Sequence, residues 1–163
     1  MPTLRPYAPA DWPNFLALDQ ETAVEGLGDA TEAERKLLLE RHPHRLADRG
    51  LTTIGFAAPG ALLWVLEGNG PAYLGHLWLT ERIDLLTGGR ILEVSTMGLV
   101  REARGKGLGR VLMQKADDEA RSRGIEVIEL SVSGNNRRAR ELYKDLGYET
   151  TRRRMRRRLQ PKP

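Results

Sequence analysis

Residues 91–109, I-L-E-V-S-T-M-G-L-V-R-E-A-R-G-K-G-L-G, decide how the rest of the chain is read. Ile91 to Val100 reads as a strand. Beyond the glycines, Leu108, Val111, Leu112, Ala116 and Ala120 recur along one face of a helix that Gly124 ends. A strand therefore hands over to a helix through Gly105-Lys106-Gly107-Leu108-Gly109. At such a junction backbone N–H groups point outward and the helix dipole is positive, so an anion such as phosphate is favoured. Glycine permits close approach, and Arg104, Lys106 and Arg110 add positive charge. The string is not a P-loop, which needs G-x-x-x-x-G-K-[ST]. Nor is it the dinucleotide fingerprint G-x-G-x-x-G, because position 110 is Arg.

Working back from this stretch, A-L-L-W-V-L-E (61–67) and A-Y-L-G-H-L-W-L-T (72–80) read as two strands of a hairpin joined by G-N-G-P. A Thr87-Gly88-Gly89 turn leads to the 91–100 strand, so the middle of the chain is an antiparallel meander. Residues 3–7 predict a short strand. Asp11 and Pro13 open a helix to about Glu21, a glycine-marked loop covers 22–30, and the capping box Thr31 to Glu34 starts a second helix. Pro43 is expected to break or kink that helix, and Gly50 to close it. Working forward, Ile125 to Val132 predicts a buried strand parallel to its predecessor. Ala139, Leu142, Tyr143 and Leu146 mark a last helix ended by Gly147, and 148–159 has strand parity with Met155 and Leu159 on one face. The order predicts an α/β (α+β) fold, a mixed sheet flanked by about four helices, in one domain over residues 1–163.

Composition narrows the function. The chain has 40% hydrophobic and 29% charged residues, an ordinary globular balance, and its longest apolar run, 61–66, is far short of a membrane span. With 0 cysteines, thiolate-bound zinc, iron–sulfur clusters and a cysteine nucleophile are ruled out. No secretory signal is legible, and a cytoplasmic location is expected. His42 and His44 flank Pro43 in a spacing that suits no common metal site, so no metal is expected and both are read as solvated helix-end residues. Net charge is +4, yet residues 152–163 carry seven basic side chains and no acid, leaving the remainder at −3. That tail reads as a strand kept soluble by charge. Without aromatic residues to stack bases, nucleic acid is disfavoured as a partner.

R-G-K-G-L-G resembles R/Q-x-x-G-x-G/A, the pyrophosphate-binding signature of the GNAT superfamily of acyl-CoA-dependent N-acetyltransferases. Thirty-two residues after Arg104, N-x-x-A-x-x-L-Y-x-x-x-G-Y from Asn136 to Tyr148 resembles the family's second motif, and the opening L-R-P-Y-A-P-A-D-W resembles its first strand and helix. Arg101 stands where the family often has proline. The resemblance implies a mostly antiparallel GNAT-like sheet with a splayed central strand pair. It also implies acetyl-CoA as the acyl donor. Met97 and Leu99 match positions whose backbone pairs with the pantetheine arm. Arg104, Gly105, Lys106, Gly107, Leu108 and Gly109 would hold the pyrophosphate, and Asn136 the pantetheine, although Asn136 also reads as a helix N-cap.

Tyr143 alone reads as a core aromatic; the resemblance places it near the thioester sulfur, where its hydroxyl could protonate the departing thiolate. Glu93, eleven residues before Arg104, matches the general-base glutamate of some members, and reads otherwise as a strand glutamate on a solvated face. Such a base is needed because an alkyl amine with a pKa of about 10.4 is nearly all ammonium at pH 7. Glu126 and Glu129 are weaker candidates. Direct transfer in a ternary complex is implied.

The acceptor is expected to be a small-molecule or peptide amine. Asp19, Glu21, Glu25, Asp29, Glu32 and Glu34, with no Lys or Arg between them, favour a cationic one, although acids in first turns also suit helix dipoles. Two alternatives stay open, a non-catalytic acyl-CoA-binding module and RNA association through the arginine-rich end. A homodimer is also compatible with the sequence.

Overall fold

The structure is a computed structural model that describes residues 1–48, 51–52, 55–56, 61–70 and 72–161. In chain order come β1 (Thr3–Pro6), a 3-10 turn (Pro9–Asp11), α1 (Trp12–Gly26), α2 (Glu32–Asp48), β2 (Leu51–Thr52), β3 (Gly55–Phe56), β4 (Ala61–Glu67), β5 (Tyr73–Ile83) and β6 (Arg90–Leu99). A second 3-10 turn (Arg101–Ala103) precedes α3 (Leu108–Ser122), β7 (Val127–Leu130) and α4 (Arg137–Asp145).

The sheet order is β1-β4-β5-β6-β7, with β2 and β3 forming a separate pair. Every pairing in the five-stranded sheet is antiparallel except β6 with β7, which is reached through α3 and is parallel. The expected meander and crossover are both present. One face carries Leu66, Leu77, Leu79, Leu92 and Val94 against Leu112, Met113, Ala116 and Ala120 of α3 and Tyr143 of α4. The other face packs Leu63 and Trp78 against Phe15 of α1 and Leu46 of α2. Each buried Leu, Val, Met or Phe among these contributes about 1.5–3 kcal/mol of hydrophobic stabilisation, so the two layers hold the sheet from both sides.

Three expectations are corrected, and of the break or kink expected at Pro43 the break does not occur. α1 continues past Glu21 to Gly26, because T-A-V-E contains no breaker, and Gly28 at φ +62° is the residue that turns the chain. Pro43 lies inside α2 without ending it; His42 and Leu46 on either side of it are both buried, and their packing outweighs the lost N–H. The 125–132 strand shortens to Val127–Leu130. Residues 148–159 form no strand: Met155 is 92% and Leu159 75% exposed, and Arg158 forks onto Glu34 at 3.0 Å through both nitrogens. Two apolar residues among six arginines bury too little surface to offset the repulsion and the ordering entropy. Gly50 and Pro71, expected to close α2 and shape the β4–β5 turn, lie outside the described residues.

Asp11 also takes a different role. Its carboxylate accepts the Ala8 N–H at 2.8 Å and both Arg5 terminal nitrogens at 2.8 and 2.7 Å, so it fixes the first turn to β1 and does not cap α1.

Candidate active site

β6 and β7 pair from Ile91↔Val127 to Val94↔Leu130, and there the pairing stops while β6 runs on to Leu99. Past this point β6 and β7 no longer pair, which leaves that side of residues 95–99 as an opening without a strand neighbour among the described residues. At the same place β6 carries one extra residue: Trp78 faces Thr96 and Leu79 faces Val94, so Ser95 is a bulge. Met97 and Leu99, on the length that pairs with β5 but has no β7 partner, are half-buried and pack on the α3–α4 core layer.

Past β6 the chain turns through Gly105 and Gly107, both at φ +77°, a backbone region nearly closed to other residues. A side chain at Gly107 would meet nothing within 4 Å, so the loop is open to an approaching group. Gly107 is the N-cap of α3 and has no side chain to satisfy the first N–H groups, which stay directed outward. Gly109 serves packing: a Cβ there would stand 2.9 Å from Leu142, so α3 and α4 touch at this point. Lys106 and Arg110 are exposed beside the loop. The guanidinium of Arg138, which the sequence reading did not single out, lies close to Gly105 as well, about 4 Å from where a Cβ would sit. A cleft of about 300 Å³ lined by Gly68, Asn69, Leu74, Glu102, Lys106 and Leu108 adjoins the loop. A second hollow of about 520 Å³ lies at the far end of α3, around Gly124 and Glu126, away from these groups.

Arg104 turns inward. Its Nε donates to the Leu99 carbonyl at 2.9 Å and its Nη1 to Glu25 at 3.1 Å, tying the loop to β6 and to the end of α1. Arg101 binds Glu21 at 2.9 Å, and Asn135 donates to the Glu25 carbonyl at 3.0 Å. The last turns of α1 therefore reach both arms of the opening. Asn136 caps α4, its Oδ1 accepting the Ala139 N–H at 3.1 Å.

Tyr143 is buried on α4, its ring 5.7 Å from that of Tyr148. Burial pushes its hydroxyl up to about 12, so it stays protonated at neutral pH. Glu93 lies on the other face of the sheet, half-buried, where Arg82 Nε donates to it at 2.7 Å and the same guanidinium reaches Glu129 at 2.6 Å. Glu93 and Glu129 are register partners on β6 and β7, immediately before the strands part.

The acid-rich segment is largely occupied by protein cations. Glu21 and Glu25 face Arg101 and Arg104, and Glu34 faces Arg158. Asp19 is not on a wall at all: it is 7% exposed, below α1. His42, expected in solvent, is 5% exposed and its Nε2 lies 2.8 Å from Asp19 Oδ2. The proline between the histidines hid this in the sequence, because it suggested a helix end where α2 in fact continues. Thr96 Oγ1 donates to Asp19 Oδ1 at 2.5 Å, and the fully buried His76 brings Nε2 to 3.6 Å. Burial alone would raise the Asp19 pKa, but the two imidazoles and the hydroxyl outweigh it and hold the carboxyl well below its usual range. Among the described residues no cluster of three or more His, Asp or Glu could hold a metal ion, and no helix is long and apolar enough to cross a membrane.

The chain is 40% identical over 54% of its length to the mycothiol acetyltransferase of Beutenbergia cavernae, covering 28% of that protein. It is 32% identical over 65% of its length to the uncharacterized N-acetyltransferase YycN of Bacillus subtilis, covering 64% of it; the crystal structure of YycN superposes with a TM-score of 0.76 over 99% of this chain and 100% of that one, at 25% identity. The chain thus spans less than two thirds of these curated relatives. A protein of Clostridium acetobutylicum described as a predicted acetyltransferase and solved with acetyl-CoA shares the fold, with a TM-score of 0.63 at 17% identity over 97% of this chain and 96% of that one. Residues 25–148, which hold the parted strands, the glycine loop and α4, match the acetyltransferase (GNAT) family, and the chain belongs to it.

Proposed function

We propose that the chain, as one domain over residues 1–163, moves an acetyl group from acetyl-CoA to a primary amine by direct transfer in a ternary complex. The observation that carries this reading is the conjunction of the two features: strands that part after Val94↔Leu130, and an open glycine loop that begins where β6 ends. The first offers unpaired main-chain groups to an extended amide-bearing arm, and the second offers N–H groups to a diphosphate. The residues fit the donor. The backbone of 105–109 with Lys106, Arg110 and Arg138 would hold the diphosphate, Met97 and Leu99 the pantetheine, and Asn136 its far side. Arg104 would act chiefly by holding the loop to Leu99 and Glu25.

The donor supplies an activated thioester. On this chain's side, Glu93 takes a proton from the acceptor ammonium, directly or through one water, and leaves the nitrogen lone pair free to form the new C–N bond. As the C–S bond breaks, Tyr143 gives its hydroxyl proton to the departing thiolate, and the second proton that the nitrogen sheds on becoming an amide returns to the tyrosinate through water; the raised pKa keeps Tyr143 protonated between turnovers. A β6 main-chain N–H meets the charge that develops on the carbonyl oxygen. Most of the rate enhancement comes from holding amine and thioester together. The acceptor is read as a small-molecule or peptide amine in the cytoplasm. Its charge preference rests on Asp29 and Glu32 more than on Glu21, Glu25 and Glu34, which already face arginines. Calorimetry with acetyl-CoA, followed by an amine panel monitored through released thiol, tests the reading. A chain that binds no acetyl-CoA refutes it; one that binds but acetylates no amine is the non-catalytic alternative.

A further inference from the structure

We propose that Asp19 is a positioning residue: through Thr96, and braced by His42, it sets the bend at which β6 leaves β7. The bulge at Ser95 is the place where β6 changes direction, and the next residue, Thr96, is the one that Asp19 grips at 2.5 Å. The same carboxylate binds His42 of α2 at 2.8 Å, so a residue of α1 ties a second helix to the strand at the point of parting.

The neighbouring contacts point the same way. A Cβ at Gly98 would stand 3.2 Å from Leu18 and 3.3 Å from His76, so α1 rests directly on β6 two residues further along. His76 is register partner to Gly98, lies 4.3 Å from the Phe15 ring and shares its Nδ1 with the Tyr73 hydroxyl at 2.7 Å. The groups facing Asp19 are thus His42 from α2, His76 from β5, with Tyr73 behind it, and Thr96 from β6.

A buried carboxylate is a costly way to hold a helix on a sheet. Apolar side chains of similar volume often serve stability equally well, whereas a hydrogen-bonded ion fixes one geometry and rejects others. Fixing geometry matters here because bulges re-aim the main-chain groups beside them, and Met97 stands two residues past Ser95. The kinetic consequence rests on the acetyl-transfer reading; the conformational one does not.

Thr96→Val removes the hydroxyl with little change of shape, Thr96→Ser restores it, and Asp19→Asn weakens the same contact from the helix side. Hydrogen exchange of the free protein reads the strand directly. In Thr96→Val, exchange across residues 95–98 should quicken about tenfold while the 105–109 loop keeps its rate. Under acetyl transfer, kcat should fall by up to about 100-fold, with the acetyl-CoA Kd weakened by less than about tenfold because Met97 moves while the 105–109 loop keeps its hold, and Thr96→Ser should recover exchange, kcat and Kd. Wild-type exchange and kcat in a folded Thr96→Val, a uniform loss of protection over the whole sheet, or a Thr96→Ser that rescues nothing overturns the proposal. A wild-type chain that binds no acetyl-CoA sinks the acetyl-transfer reading instead, and the exchange experiment still decides the role of Asp19. Should Thr96→Val not fold, Thr96→Ala, which also lacks the hydroxyl but leaves the Asp19–His42 pair in place, carries the same exchange comparison.

Discussion

Replacing Gly107 by alanine separates a backbone anion site from an ordinary turn. Gly107 has φ +77°, where an L-residue costs about 1–2 kcal/mol, and a Cβ there meets nothing within 4 Å, so strain is the only structural penalty. At roughly 2–4 °C per kcal/mol for a chain of this size, Tm should drop by about 2–8 °C. Gly124 supplies the control: it sits at the other end of α3 with φ +63° and equally open space, so Gly124→Ala carries the same backbone cost away from the loop. Only Gly107→Ala places a methyl group among the outward N–H groups of 105–109. Loss of one hydrogen bond to an anion amounts to about 1.5–3 kcal/mol, or roughly 10- to 150-fold in affinity. Titration calorimetry with acetyl-CoA, alongside thermal denaturation of both variants, reads the two effects separately. Equal Kd values for Gly107→Ala and Gly124→Ala, with both variants folded, would refute the assignment of the diphosphate to this loop.

Other consequences are quickly checked. Tyr143→Phe should lower kcat about 10²- to 10⁴-fold and leave the acetyl-CoA Kd unchanged, since only a proton donor is lost; an unaltered kcat removes Tyr143 from the reaction. The depressed Asp19 pKa stabilises the fold at neutral pH, and that contribution is lost as pH falls, first through the unfolded value of about 3.9 and then toward the lower folded one. Denaturant titrations should therefore show Asp19→Asn destabilised by about 3–5 kcal/mol at pH 7, with the gap from wild type narrowing below pH ~4. A gap that widens in acid contradicts the buried ion. Arg158→Ala severs an exposed pair with Glu34 and should change stability by less than about 1 kcal/mol, so a large drop in Tm would show that the C-terminal segment is held by more than this contact.

What the sequence determined by itself is local. The glycines at 105 and 107, the alternating run before them and the helical spacing after them depend on φ preference and side-chain period, which act over a few residues. The antiparallel meander and parallel crossover follow from connection lengths, and the candidate loop was legible for the same reason. Tertiary structure decided where the charges went. Asp19 meets Thr96 across 77 positions, Glu25 meets Arg104 across 79 and Glu34 meets Arg158 across 124, and no local spacing encodes such encounters. The acidic segment therefore looked like a bare wall although packing had given it partners. His42 looked solvated because Pro43 suggested a helix end, whereas burial of His42 and Leu46 against the neighbouring layer outweighs one missing N–H and carries the helix through. The parity of 148–159 failed for the opposite reason: an alternating pattern makes a strand only where one face has something to cover, and Met155 and Leu159 cover nothing.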